Sequence, residues 1–190
     1  MSGHTHKALL LLSKQGKLAL GTRNTPRPGP GELLVKVLAT SLNPIDWKIQ
    51  RLGVFLTDYP AVLGTDVAGE VEGVGEGVTT FKKGERVFCQ GTFDNNGASF
   101  QNFAITTAAT TSKIPSKYSY EAASTVPVAF TAAYVGLYNA APYGLGFAWP
   151  LDAAGRGKYA GIPLVILGGA SSVGQYGEML HPFAVRASTE

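Results

Sequence analysis

The sequence predicts a mainly β fold passing into α/β: a small, partly open β-barrel, a helical bridge, then the first strand and turn of an incomplete parallel α/β domain. Three observations predict it. Residues 7–107 carry short apolar or alternating runs separated by Gly- and Pro-rich turns. From Tyr120 the pattern becomes helical. Residues 163–176, Pro-Leu-Val-Ile-Leu-Gly-Gly-Ala-Ser-Ser-Val-Gly-Gln-Tyr, then read as a fully buried strand over 164–167, a Gly/Ser turn and a helix opening at Val173-Gly174.

The elements follow in order. Residues 7–12 form a candidate first strand, and the stretch Thr25-Pro-Arg-Pro-Gly-Pro-Gly31 turns the chain. Residues 32–41, rich in Val, Leu and Ala, read as a strand. Asn43-Pro44 offers an N-cap with proline at the first helical position, and Ile45, Trp47, Lys48 and Leu52 continue a short helix. Residues 64–74 are the next strand, with glycines spaced for bulges or close backbone approach. Residues 81–88 read as a turn into a strand, and 100–106 as a further strand.

Beyond Tyr120, Glu121-Ala-Ala-Ser is helical by propensity. Residues 127–140 carry Val128, Ala132, Val135 and Leu137 among small residues, the mark of a closely packed helix. Residues 141–161 read as a long loop. The predicted organisation is therefore a barrel domain over 1–125, a bridge and domain start over 126–176, and an atypical tail over 177–190.

Composition narrows the function class. A net charge of +3, with Lys and Arg scattered, shows no basic arm or patch, so no nucleic acid is expected as partner. The apolar run at 8–12 is too short for a signal peptide or a membrane span, and a cytoplasmic protein with no membrane partner is expected. The single cysteine, Cys89, excludes a disulfide framework within the chain and fits a reducing compartment. Beside Phe88 it reads as a small core residue.

A strand, small-residue turn and helix present backbone N–H groups and a helix N-terminus to a phosphate. The strict G-x-G-x-x-G spacing is absent. Gly169 and Gly174 match the spacing of a P-loop, but Gln175 and Tyr176 replace its Lys and Ser/Thr, which argues against ATP or GTP chemistry. Taken alone, the turn fits a phosphate cradle or a plain tight turn.

Six blocks carry a family resemblance. They are Arg27-Pro-Gly-Pro-Gly-Glu-Leu-Leu-Val-Lys-Val37, Ser41-Leu-Asn-Pro-Ile-Asp-Trp-Lys48 and Leu63-Gly-Thr-Asp-Val-Ala-Gly-Glu-Val71. Gly73-Val-Gly-Glu-Gly-Val78 with Lys83-Gly-Glu-Arg-Val87, Ala122-Ala-Ser-Thr-Val-Pro-Val-Ala-Phe-Thr-Ala132 and Gly168-Gly-Ala-Ser-Ser-Val-Gly174 complete the set. In this order they resemble the medium-chain dehydrogenase/reductase superfamily, with its GroES-like catalytic domain and Rossmann cofactor domain. The nearest likeness is to its zinc-free fungal-type group, quinone-oxidoreductase-like and similar to trans-acting enoyl reductases.

The resemblance implies an NADPH-dependent oxidoreductase that reduces an enoyl, quinone or carbonyl substrate by zinc-independent hydride transfer. Zinc members place a Cys within the stretch where Asn43, Pro44, Ile45 and Asp46 stand and a His where Thr65 stands, so no zinc is expected. His4 and His6 are expected in a frayed terminus and His181 in the tail. By resemblance, Asn43, Pro44, Ile45, Asp46, Trp47 and Lys48 line the nicotinamide-ribose side of the cleft, with Thr131 near the nicotinamide. Ser171, Ser172, Val173 and Gly174 would take the pyrophosphate. The plain alternatives are helix capping for Asn43 and Asp46, a solvated helix face for Lys48, and simple turn roles for Ser171 and Ser172. Tyr59 and Tyr134 are tyrosines that could donate a proton, without a feature that separates them from core or rim tyrosines; no catalytic residue is assigned.

Only sixteen residues follow Gly174, and the selector expected about 20 residues past the glycine turn lies beyond them. His181-Pro182 interrupts the helical pattern, so residues 177–190 are expected to be foreign to the family, through a truncated gene model, a splice form or a frameshift. The implied partners are a small-molecule substrate, and either a homo-oligomer or, for an enoyl reductase, a polyketide synthase. The alternative function is a non-catalytic GroES-like domain that acts as a weak binding or dimerisation module.

Overall fold

The computed structural model describes residues 4–149, 151–153, 155, 157–159 and 161–180. The chain divides into two compact units after Val128.

The first unit holds all the described strands, in two sheets. β1 (Thr5–Leu11) pairs antiparallel with β2 (Leu18–Asn24) and with the short β4 (Ala61–Val62), giving the order β2-β1-β4. The second sheet has the order β7-β3-β5-β6-β8, formed by β3 (Glu32–Ala39), β5 (Asp66–Val74), β6 (Arg86–Gln90), β7 (Phe103–Thr107) and β8 (Thr111–Lys113). Alternation along these strands turns Leu33, Val35, Val67, Val71, Val87, Cys89 and Ala104 into one core. β3 and β5 slip register after Leu34 and after Val37. Gly69 is needed at the second slip, because a Cβ there would lie 2.0 Å from the Lys36 carbonyl oxygen. Two helices complete the unit: α1 (Pro44–Leu52) and α2 (Tyr120–Ser124).

Sequence reasoning missed β2, β4 and β8. β2 is half-exposed along its length and carries Gly21, while β4 and β8 have two and three residues, too short for a period to appear. The expected frayed terminus is also corrected at His6. His6 lies in β1, is 5% exposed, and sits 3.0 Å from both Thr25 Oγ1 and Gln101 Oε1. His181 lies outside the described residues.

α3 (Pro127–Tyr138) begins in the first unit and continues into the second. Its buried positions are Pro127 and then Ala129, Ala133 and Leu137, the last three four apart on one face, and not the expected Ala132, which is exposed. Phe130, Tyr134, Tyr138, Trp149 and Tyr176 then form an aromatic cluster in the second unit. The buried strand expected over 164–167 does not form: no ladder includes these residues, and Val165 and Leu167 are 80% and 91% exposed. A parallel strand needs neighbours on its edges and cover on its faces, and the described residues supply no partner strand. Residues 177–180 continue α4 (Ser172–Leu180), and the Tyr138 hydroxyl donates to the Leu180 carbonyl; residues 181–190 lie outside the described set.

Candidate functional site

In the first unit the segment before α1 is tied down one side chain after another. Thr40 Oγ1 lies 2.7 Å from the buried Ser99 Oγ, and Ser41 Oγ lies 3.3 Å from the buried Ser124 Oγ. Asn43 Nδ2 then donates to Asp66 Oδ2 at 2.7 Å. Short polar residues in such a segment fold it because their side chains reach other backbone-proximal groups more readily than a helix or ladder.

At the start of α1, Asn43 and Asp46 stand at the capping-box positions, with Asn43 N donating to Asp46 Oδ2 at 2.7 Å. The capping hydrogen bond is accepted by the Asp46 side chain, whereas the Asn43 side chain makes no cap hydrogen bond and turns its NH2 to Asp66. Pro44 occupies the first turn, and Gly53, at φ 64°, ends the helix in the left-handed region. Ile45 packs beside the buried Leu11, Ile49 and Leu63. Trp47 and Lys48 are exposed, with the ammonium 5.9 Å from the indole centroid.

Two buried carboxylates meet at Asn43. Asp66, 1% exposed, accepts from Asn43 Nδ2 and, through Oδ1, from Val128 N at 2.9 Å in the first turn of α3. Burial holds the Asp46 and Asp66 carboxyls above the ordinary range. The charge of Asp46 raises Asp66 further, and the hydrogen bonds from Asn43 act the other way. Asp46 Oδ1 and Thr65 Oγ1 are buried without a hydrogen-bond partner. Sequence reasoning read Asp66 only as part of a motif. Its signal was a carboxylate inside the apolar run Asp66-Val-Ala-Gly69, a place where charge is seldom buried without partners.

The residues present do not fit a zinc ion. Asn43 turns its N–H toward Asp66, both Asp66 oxygens already accept hydrogen bonds, and Thr65 offers a neutral hydroxyl. Among the described residues no group of three or more His, Cys, Asp or Glu gathers as a metal set.

In the second unit, residues 168–171 turn into α4. Gly168 has φ 78°, Ser171 N donates to the Gly168 carbonyl at 2.9 Å, and Ser171 Oγ accepts from Gly174 N at 3.1 Å as the helix cap. The amides of Ser172 and Val173 have no acceptor among the described residues, as expected for a helix's first turn. Gly174 is buried against the turn, where a Cβ would lie 2.3 Å from the Gly168 carbonyl oxygen. Thr131, half-buried on α3, also belongs to this unit, whereas Asn43 to Lys48 belong to the first.

The family model described as the alcohol dehydrogenase GroES-like domain matches residues 29–124. The chain belongs to this GroES-like domain family. Its relatives place it in the medium-chain dehydrogenase/reductase superfamily. The dehydrogenase orf1 of Aspergillus niger is 37% identical over 177 residues, covering 90% of this chain and 50% of that protein. A chloroplast envelope quinone oxidoreductase homolog of Arabidopsis thaliana is 38% identical over 162 residues, 84% of this chain and 46% of its own length. The trans-enoyl reductase tndF of Aspergillus flavipes is 37% identical over 132 residues, 65% and 38% respectively. Among solved structures, an alcohol dehydrogenase superfamily protein from Novosphingobium aromaticivorans is 28% identical with a TM-score of 0.74, over 90% of this chain and 48% of that one. A mycobacterial protein solved in complex with NADPH is 30% identical with a TM-score of 0.58, over 68% and 40%. The GroES-like chain spans about half the length of the curated relatives it matches. No helix among its described residues is long and apolar enough to cross a membrane.

Proposed function

We propose that this chain carries the GroES-like half of a zinc-independent, NADPH-dependent reductase of an enoyl, quinone or carbonyl substrate. The observation that carries the reading is the turn at 168–174. Two first-turn amides, of Ser172 and Val173, have no acceptor among the described residues at the positive end of α4, and Gly174 lets the helix start close against the turn. That arrangement fits a pyrophosphate; the similar mycobacterial protein solved with NADPH supports the cofactor class, and the quinone oxidoreductase and trans-enoyl reductase relatives support the substrate class.

When bound, the nicotinamide supplies the hydride. Ser171 holds the turn as helix cap by accepting the Gly174 amide, Ser172 and Val173 would offer their amides to phosphate oxygens, and Gly174 keeps the space against the turn clear. By family resemblance, Asn43, Pro44, Ile45, Asp46, Trp47 and Lys48 in the first unit would orient the nicotinamide end, where the exposed Lys48 ammonium would add a cation for an anionic group, and Thr131 in the second unit carries the same expectation by itself. Within the enoyl reading, a polyketide synthase delivers the unsaturated acyl substrate; a second copy of this chain is the other protein partner proposed.

A second reading, a non-catalytic binding or dimerisation module, is favoured by one observation: residues 164–167 form no strand. A helix N-terminus contributes about 0.3–2 kcal/mol toward an anion, whereas micromolar binding needs about 8 kcal/mol. The 190-residue chain should therefore hold NADPH in the millimolar range and show no turnover. Titration of the ¹⁵N-labelled chain with millimolar NADPH tests both readings. Shifts at the amides of 172–174 and at 43–48 support the reductase reading; a spectrum unchanged at both sets leaves the binding-module reading in its place.

A further inference from the structure

Asp66 is among the most deeply buried charged groups described, and its two oxygens serve different stretches of chain. Oδ2 takes the Asn43 side-chain N–H, 23 positions earlier, and Oδ1 takes the Val128 backbone N–H, 62 positions later. A carboxylate only accepts, so the atom that Asn43 turns toward it is the NH2 and not the carbonyl oxygen. Val128 is the last residue of the first unit and lies in the first turn of α3, so this bond fixes the point from which the bridging helix departs. Among the described residues no lysine, arginine or histidine pairs with Asp66, and its charge is held by N–H donors and by the helix end alone. The titratable groups facing it are Asp46 on α1 and Cys89 on β6.

We propose that Asp66 is a positioning residue for the cofactor site: one carboxylate sets the orientation of the Asn43 amide and anchors the first turn of α3. For stability alone, a well-packed apolar side chain at this place would serve as well as a buried charge. What the charge adds is a defined direction for two polar groups at once. The amide flip of Asn43 decides whether that side chain offers an acceptor or a donor away from Asp66, and the carboxylate leaves the acceptor. The cofactor part of this inference rests on the reading of residues 43–48 as the nicotinamide side, while the anchoring of Asn43 and Val128 does not.

The test uses the ¹⁵N,¹³C-labelled chain and three proteins: wild type, Asp66→Ala and Asp66→Asn. In the wild type, scalar couplings across hydrogen bonds should connect both Asn43 Nδ2 and Val128 N to the Asp66 side-chain Cγ. In Asp66→Ala the Asn43 NH2 pair should collapse to the shifts of free asparagine, and NADPH-induced shifts at 43–48 should fall at least fivefold, while those at 172–174 persist. Should that variant fail to fold, Asp66→Asn decides, because its single carbonyl oxygen keeps the signature of only one of the two donors. Wild-type couplings absent at either donor, or an unchanged Asn43 signature in Asp66→Ala, overturn the anchoring. Unchanged NADPH shifts at 43–48 in that variant overturn the cofactor role. If the wild type shows no NADPH shifts anywhere, the proposed function fails and the cofactor role with it, yet the couplings still decide the anchoring.

Discussion

His6 Nε2 lies 3.0 Å from Gln101 Oε1, across 95 positions of sequence and inside the first unit. Gln101 Nε2 donates to the carbonyl oxygens of Asn95 at 2.9 Å and Ala98 at 2.8 Å, which turns Oε1 toward His6 and toward Arg23 Nη1 at 2.9 Å. The amide oxygen accepts, so His6 Nε2 donates to it, and Nδ1 lies 3.0 Å from the Thr25 hydroxyl. The network ties β1, the end of β2 and the loop before β7 together.

Breaking that network should cost stability. Replacing His6 with Ala removes a buried ring and both of its side-chain hydrogen bonds, a loss of about 1–3 kcal/mol. Urea unfolding of His6→Ala should show a lowered midpoint with an unchanged slope. A midpoint equal to that of the wild type would mean that the buried ring contributes nothing net.

Two glycine substitutions should act with opposite signs. Gly69→Ala drives a Cβ to 2.0 Å from the Lys36 carbonyl oxygen, against backbone that cannot rotate away, and should destabilise by about 1–3 kcal/mol or more. Gly136 lies on the exposed side of α3, where an added Cβ meets only open space, and Gly136→Ala should stabilise by about 0.5–1 kcal/mol. Calorimetric melting of both variants gives the comparison; equal shifts of one sign would contradict it.

The carboxyl pair should leave a signature in stability against pH. Asp46 and Asp66 are both raised in the folded chain by burial. For a raised acid the folded state favours the protonated form, so the stability contribution is full below the ordinary aspartate value of about 3.9 and is lost as pH rises through the folded value. The stability difference between wild type and Asp66→Asn should therefore move against the wild type over that rise and become flat above it. A difference that moves toward the wild type across the same interval would reverse the sign and refute the assignment.

Cys89 should be silent in the folded chain. Its thiol is 3% exposed and pushed up by burial, with hydrogen bonds from Thr106 and Thr111 opposing. A disulfide reagent at pH 8 should label it only as fast as the first unit opens, with the rate rising steeply in denaturant. Labelling within seconds in native buffer would show that the core around β6 is open.

Much of this architecture was readable in the sequence because local chemistry dictated it. Pro44 after Asn43 started α1, alternation placed Val35, Val67 and Val87 in one core, and the turn residues at 25–31 marked the approach to β3. The order of the motifs likewise pointed to the family. Tertiary structure alone decided the rest. Short edge strands such as β4 and β8 exist because longer neighbours offer them a ladder, and the apolar run at 164–167 stays outside any sheet because the described residues give it no such neighbour. His6, Asp66 and Thr65 are buried through contacts with residues far along the chain, for which no local period carries a signal. Spacing along the sequence fixes which way a side chain leaves the backbone. Which distant donor or acceptor it then meets is set by the packing of whole sheets and helices.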